Sequence, residues 1–121
     1  MKYDTDRPIY LQVIDDISRK MIRGDIQLGE KLPSVRDLAI EYQINPNTAS
    51  RVYKEMESRQ LCFTRRGTGT FITEDPAVLH MIRSEMAAEC LDTFLQRMQL
   101  LGYEFDEMVE LLRERYYEED I

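Results

Sequence analysis

The sequence is poor in the residues most catalytic chemistry needs. Its one histidine, His80, has no second histidine with which to build a catalytic triad or a multi-histidine metal site. The two cysteines, Cys62 and Cys90, lie in apolar stretches without Cys-x-x-Cys spacing. Two buried, reduced thiols and a cytoplasmic setting are the simplest expectation. No apolar run exceeds a few residues, so nothing reads as a membrane span. Met1-Lys2-Tyr3-Asp4 lacks the apolar stretch of a secretion signal. There is no internal repeat and no low-complexity tract. Gly67-Thr68-Gly69 falls between strand-like residues rather than before a helix, so it is not a nucleotide fingerprint. An enzyme is not expected, nor a metal or cofactor.

What is present suits one ordinary domain with a short appendage: 121 residues, 43% apolar and 32% charged. The net charge of −7 is unevenly spread. Residues 1–75 carry 12 basic and 12 acidic side chains, while residues 76–121 carry 4 and 11. Within 31–66, seven basic residues (Lys31, Arg36, Arg51, Lys54, Arg59, Arg65, Arg66) face four acidic ones. An acidic chain as a whole is a poor partner for nucleic acid. Only the docking face meets the partner, however, so this local excess reopens the possibility.

Ile9, Tyr10, Val13, Ile14, Ile17 and Met21 recur at helical spacing and predict a helix from Pro8 to Arg23, stopped by Gly24. Residues 25–33 read as an extended connection. Ser34, with Asp37 three residues on, resembles a capping box, opening a short helix with Val35, Leu38, Ala39 and Tyr42 inward. Asn45 and Pro46 then suit the cap and first residue of a third helix to Ser58. Its inner face carries Ala49, Val52, Tyr53 and Met56, which leaves Asn47, Thr48, Ser50, Arg51 and Lys54 on or near the outside. Two short helices joined by a tight turn form a helix-turn-helix candidate. Leu61–Thr64 and Thr70–Thr73 read as strands joined by Arg65-Arg66-Gly67-Thr68-Gly69, a hairpin with two arginines at its tip. A helix-turn-helix followed by such a hairpin is a winged helix.

Beyond Asp75-Pro76, a helix of about 25 residues, roughly 37 Å long, is predicted from Ala77 to Leu101. Ala87, Leu91, Phe94, Met98 and Leu101 alternate at spacings of four and three, as in a packing seam. A last helix near Phe105 to Glu118 carries Met108, Val109, Leu112 and Tyr116, and a frayed tail is expected over 118–121. Two helices cannot enclose a core. The apolar residues Ala87, Leu91, Phe94, Leu95, Met98, Leu101, Met108 and Leu112 are therefore expected at the interface of a homodimer, with Cys90 beside them. The fold class is thus mainly α with a small β-hairpin wing: a winged helix-turn-helix domain over 1–75 and a two-helix dimerisation tail over 76–121.

Three strings in this order, Leu32-Pro33-Ser34-Val35-Arg36-Asp37-Leu38-Ala39, Ile44-Asn45-Pro46-Asn47-Thr48-Ala49-Ser50-Arg51-Val52-Tyr53 and Gly67-Thr68-Gly69-Thr70-Phe71-Ile72, resemble the GntR family of bacterial transcription regulators. The Asn-Pro-Asn-Thr form and the short acidic tail resemble its YtrA subfamily. The resemblance implies a dimeric repressor reading an inverted repeat in double-stranded DNA, with a transporter operon as target. It implies DNA contacts by Arg36, by Asn45, Asn47, Thr48, Ser50 and Arg51 at the recognition helix, and by Arg66 and Gly67 in the minor groove. Lys54 and Arg65 join them on physical grounds, as a phosphate ligand one turn on from Ser50 and as the second wing arginine. Where the family commonly has Glu-Gly before the wing, this chain has Arg59-Gln60, so an altered exit from the third helix is expected.

Blander readings stand beside these. The polar side of the third helix also fits an ordinary solvated face. Arg36 could pair with Asp37 or Glu41, and Arg65 and Arg66 could guard a strand edge. The alternative function is then a winged-helix protein-interaction module without specific DNA binding. A small-molecule effector of unknown identity at the dimer interface is a further possibility.

Overall fold

The stripe of Val13, Ile14, Ile17 and Met21, all 2% exposed or less, turns one side of the first helix into the floor of a hydrophobic core. This computed structural model describes residues 1–118, and the frayed end expected over 118–121 lies outside it except for Glu118, which is helical. The elements are α1 (Ile9–Arg23), α2 (Val35–Tyr42), α3 (Pro46–Ser58), β1 (Cys62–Arg65), β2 (Gly69–Ile72), α4 (Pro76–Leu100) and α5 (Phe105–Glu118). The architecture is mainly helical with one antiparallel hairpin, a winged helix-turn-helix. No helix among the described residues is long and apolar enough to cross a membrane.

Local chemistry explains most boundaries. Pro8 caps α1 instead of opening it, with an extended ψ of 138°. The Ser34 hydroxyl accepts the Asp37 N–H at 3.1 Å to start α2. The Asn45 Oδ1 accepts the Asn47 N–H at 2.7 Å to start α3, with Pro46 in the first turn. Between the two helices Gln43 takes a left-handed backbone (φ 54°).

The exit of α3 departs from expectation. Gln60 keeps a left-handed conformation (φ 63°) although it has a side chain. Its N–H donates to the Glu57 carbonyl at 3.0 Å, and the Leu61 N–H reaches back to the Met56 carbonyl at 2.9 Å. Leu61 and Met56 are both buried. These are the two hydrogen bonds and the apolar contact of a Schellman closure, which offset the strain at Gln60.

Leu61 is therefore committed to closing the helix, and β1 starts one residue later than the sequence suggested. Phe63 pairs with Phe71 and Arg65 with Gly69 in the hairpin. Part of the connection before α2 joins the sheet as well. Lys31 bridges to Phe71, the Leu32 N–H donates to the Thr70 carbonyl at 2.8 Å, and the Ile72 N–H donates to that of Glu30 at 2.9 Å. The wing is thus held along both edges of β2.

The chain divides into two units, Met1–Arg83 and Ser84–Ile121. The first extends eight residues beyond the break expected at 75, because the opening of α4 belongs to its core. Ile82 is buried, and Val78 and Leu79 pack against the same cluster. Cys62 is buried there, and burial first, then the Glu57 carboxylate, pushes its thiol up to about 12. Cys90, expected in an interface, is exposed in the single chain.

The second unit is the remainder of α4 and α5. The turn between them closes as the Tyr103 N–H donates to the Met98 carbonyl at 3.1 Å, and the Glu107 carboxylate accepts the Glu104 N–H at 3.0 Å. Of the described residues in this unit only Met108 is buried.

Replacing Gln60 with glycine relieves the left-handed strain without touching the core. The Gln60→Gly variant is expected to be more stable by about 1 kcal/mol, seen as a higher denaturant midpoint at unchanged m-value. A lower midpoint would show that Gln60 is not strained.

Candidate nucleic-acid interface

On α3 the inward face is set by Ala49, Val52 and Met56, each with no exposed surface, and by Tyr53. The Tyr53 hydroxyl donates to the Pro33 carbonyl at 2.7 Å, which ties α3 to the chain entering α2. A second anchor fixes α2 on α1. The Tyr42 hydroxyl donates to Asp16 Oδ2 at 2.7 Å, Lys20 Nζ lies 3.2 Å from both, and the Tyr3 hydroxyl donates to the Tyr42 carbonyl at 2.7 Å. Burial, then the Asp16 hydrogen bond and charge, holds the Tyr42 hydroxyl protonated far above its ordinary range. Burial alone would raise the Asp16 pKa. Hydrogen bonds from Tyr42 and Lys20, with the charges of Lys20 and Arg19, outweigh it, so the net shift is downward.

With α3 fixed this way, Asn47, Arg51 and Lys54 are exposed on one stripe, and Thr48 and Ser50 flank it half-buried. Asn45 is exposed too. Its Oδ1 is occupied by the helix cap, which leaves its amide N–H groups free. Arg36 is exposed on α2. At the wing tip Arg66 and Gly67 are exposed, and Gly67 adopts φ 78°, a conformation that lets the hairpin reverse over a short turn.

The arginines of the wing differ from each other. Arg65 lies back along the hairpin. Its guanidinium sits 5.4 Å and 5.6 Å from the rings of Phe63 and Phe71, which stack on each other, and 4.0 Å from Glu74. Arg66 alone is left at the tip. Arg51 is also placed by an aromatic ring, since its guanidinium carbon is 3.9 Å from the centre of the Tyr10 ring on α1. Residue spacing does not reveal this contact, because Tyr10 reads simply as a core position.

Charge pairing sorts the basic residues of this unit. Arg7, Arg19, Lys20, Arg23, Arg59 and Arg65 each have a carboxylate within 4.0 Å. Among the described residues Arg36, Arg51, Lys54 and Arg66 have none, so the pairing of Arg36 with Asp37 or Glu41 is not formed. Lys2, Lys31 and Arg83 are unpaired among these residues as well, so four of the seven uncompensated cations of this unit lie on the outer face of α2–α3 and the wing tip. Surface pairs stabilise by under about 1 kcal/mol, whereas an unpaired cation remains available to a phosphate. Lys31 extends over Gly69 beside the wing.

In the tail, Ala87 and Leu101 are exposed, as are Leu91 (60%), Leu95 and Leu112, while Phe94 and Met98 are half-covered. Met108, expected in the same interface, is only 4% exposed within a single chain, so it forms the internal contact of the helix pair and has no surface to offer a partner. Phe94, Met98, Leu101, Tyr103, Leu111 and Leu112 line an open groove of about 450 Å³ along this unit. Among the described residues no cluster suited to a metal ion occurs.

A capped polar helix projecting from a helix-turn-helix, flanked by a wing, defines the class: a winged helix-turn-helix DNA-binding domain. Comparison with known proteins gives the family. Residues 9–72 match the bacterial regulatory proteins of the gntR family. The HTH-type transcriptional regulator YhcF of Bacillus subtilis (strain 168) is 40% identical over 109 residues, 90% of each chain. The HTH-type transcriptional repressor YtrA of the same organism is 36% identical over 108 residues, 88% of this chain and 83% of its own. A GntR family transcriptional regulator from Listeria monocytogenes has the same fold at a TM-score of 0.87 and 31% identity, over 93% of this chain and 98% of that one. This chain belongs to the GntR family and is a transcription regulator with a DNA-binding domain, not an enzyme.

The Asp16 anchor has a pH signature. Asp16→Asn is expected to destabilise the protein at neutral pH by about 1–2 kcal/mol. A depressed carboxylate pKa contributes stability that is present above the ordinary value of 3.8 and lost as pH falls through the folded value. The gap between wild type and variant should therefore narrow in acid. An equal gap at pH 7 and pH 3 in denaturant titrations would rule out the charge as its source.

Proposed function

We propose that the protein is a repressor that binds a palindromic operator as a homodimer, with Arg36, Asn45, Asn47, Thr48, Ser50, Arg51, Lys54, Arg65, Arg66 and Gly67 forming the DNA face. The observation that carries this reading is that Arg36, Arg51, Lys54 and Arg66, exposed on the helix-turn-helix and the wing tip, have no carboxylate within 4.0 Å among the described residues. Asn47 amides suit adenine edges, while Thr48 and Ser50 hydroxyls and the backbone suit phosphates. Arg65, stacked on the wing, acts at shorter reach than Arg66. Such a protein works beside the chromosome, in the cytoplasm. The likeness to YtrA supports repression. The resemblance to its subfamily extends that to a transporter operon.

Selection from a random duplex pool is expected to enrich an inverted repeat, bound with affinity that falls steeply with salt. Arg36→Ala should weaken that binding by about 1–3 kcal/mol while leaving the thermal midpoint unchanged. Absence of any salt-dependent DNA binding would favour a protein-interaction module instead.

The dimer reading rests on the tail. Ala87, Leu91, Phe94, Leu95, Met98, Leu101 and Leu112 form a seam that a single chain leaves largely uncovered. A unit of this size lies below the roughly 40 residues at which one chain can bury a sufficient core. A twofold partner would cover it. A small-molecule effector in the adjoining groove would share Phe94, Met98, Leu101 and Leu112 with that partner, which is how ligand and assembly would be coupled. In sedimentation, wild type should run at twice its 14.4 kDa mass. Leu91→Glu should run as a monomer and lose the preference for two half-sites over one. A wild-type chain that stays monomeric at micromolar concentration overturns this assembly.

A further inference from the structure

Tyr10 is half-exposed on the first turn of α1, outside both helices of the helix-turn-helix. No hydrogen bond of its hydroxyl is formed among the described residues. One face of its ring is instead covered by the Arg51 guanidinium at 3.9 Å, well inside the roughly 6 Å within which a cation is attracted to an aromatic face. Arg51 is exposed, unpaired with any described carboxylate, and lies on the same α3 stripe as Asn47 and Lys54. We propose that Tyr10 is a positioning residue for DNA recognition: its ring fixes the plane and direction of Arg51, so that the guanidinium meets the duplex already ordered.

The chemistry favours arginine over lysine at this place. A planar guanidinium can stack by its face and still present its N–H groups in a fixed plane at its edge, whereas an ammonium has no flat face to be held by and no fixed plane of donors. A free arginine loses rotamer freedom when it docks on DNA, and one already held by a ring loses less. Tyr10 thereby makes α1 part of the reading head without touching DNA. This rests on the reading of α3 as the DNA-facing helix.

The test uses the full-length protein, a duplex enriched from the random pool, and the variants Tyr10→Phe, Tyr10→Leu and Arg51→Ala. Tyr10→Leu should weaken binding about two- to fivefold, the range expected of an exposed cation–π contact, while Tyr10→Phe, which keeps the ring, should bind as wild type. Because Tyr10→Leu removes no charge, its slope of log affinity against log salt should stay at the wild-type value. Arg51→Ala, by contrast, should lower that slope by about one phosphate contact. In the Arg51→Ala background, Tyr10→Leu should have no further effect. In the free protein the Arg51 side-chain protons should carry a ring-current shift in wild type and Tyr10→Phe, lost in Tyr10→Leu. Equal binding by wild type and Tyr10→Leu, or an undiminished Tyr10→Leu effect without Arg51, would overturn the positioning role alone. If wild type binds no duplex, the reading of α3 fails and the proposal with it.

Discussion

The structure depends on α3 having one side with no access to water. Ala49, Val52 and Met56 are fully covered, and burying side chains the size of Val52 and Met56 contributes about 1.5–3 kcal/mol each. That burial fixes the rotation of the helix. Once it is fixed, Asn47, Arg51 and Lys54 have nowhere to point but outward. The Tyr53 bond to the Pro33 carbonyl then ties the chain entering α2 to α3, and with it the place of Arg36. The proposed recognition chemistry is thus a by-product of core packing: the hydrophobic face decides which residues the polar face can display.

Short-range chemistry was the part legible from sequence. The caps at Ser34 and Asn45, the inward stripes of α1 and α3 and the hairpin turn at Gly67 depend on neighbours a few positions away, and composition reports such neighbours directly. The contacts that hold the reading head in place were not legible. Tyr42 meets Asp16 across 26 positions, and the Tyr3 hydroxyl reaches the Tyr42 carbonyl across 39. Tyr10 and Arg51 meet only because α1 packs on α3. Tyr10 and Tyr42 read as generic apolar positions, since a tyrosine at helical spacing looks the same whether its hydroxyl or ring face has a dedicated partner or not, and Tyr3 lies outside any periodic stretch.

The misplaced details have the same origin. Gln60 tolerates a left-handed backbone because Leu61 and Met56 are buried next to it and two hydrogen bonds close the turn. A rule about glycine weighs the local strain but not the tertiary contact that offsets it. The break expected after Asp75 marks a change in local pattern. The compact unit nonetheless continues through Ile82, because a helix can serve one core with its first turns and leave its later turns uncovered. Met108 had the periodicity of a seam residue, and its burial within one chain shows that α4 and α5 need an inner contact before they can offer an outer one.

Charge separates the two units as sharply as packing does. Residues 1–83 carry 13 basic and 12 acidic side chains, and residues 84–121 carry 3 and 11. In the proposed dimer, two tails of like sign would be brought together, so their apolar seam must outweigh mutual repulsion that added salt screens. Attraction between the unpaired cations and phosphate is weakened by the same salt. Ionic strength therefore acts in opposite directions on assembly and on DNA binding. A loss of affinity on adding salt then belongs to the reading heads and not to dissociation of the tails. An acidic tail has a further consequence for a regulator that must find one site among many. Under the proposed function it repels the duplex while Arg36, Arg51, Lys54 and Arg66 attract it, so which part of the chain meets DNA is restricted before any base is read.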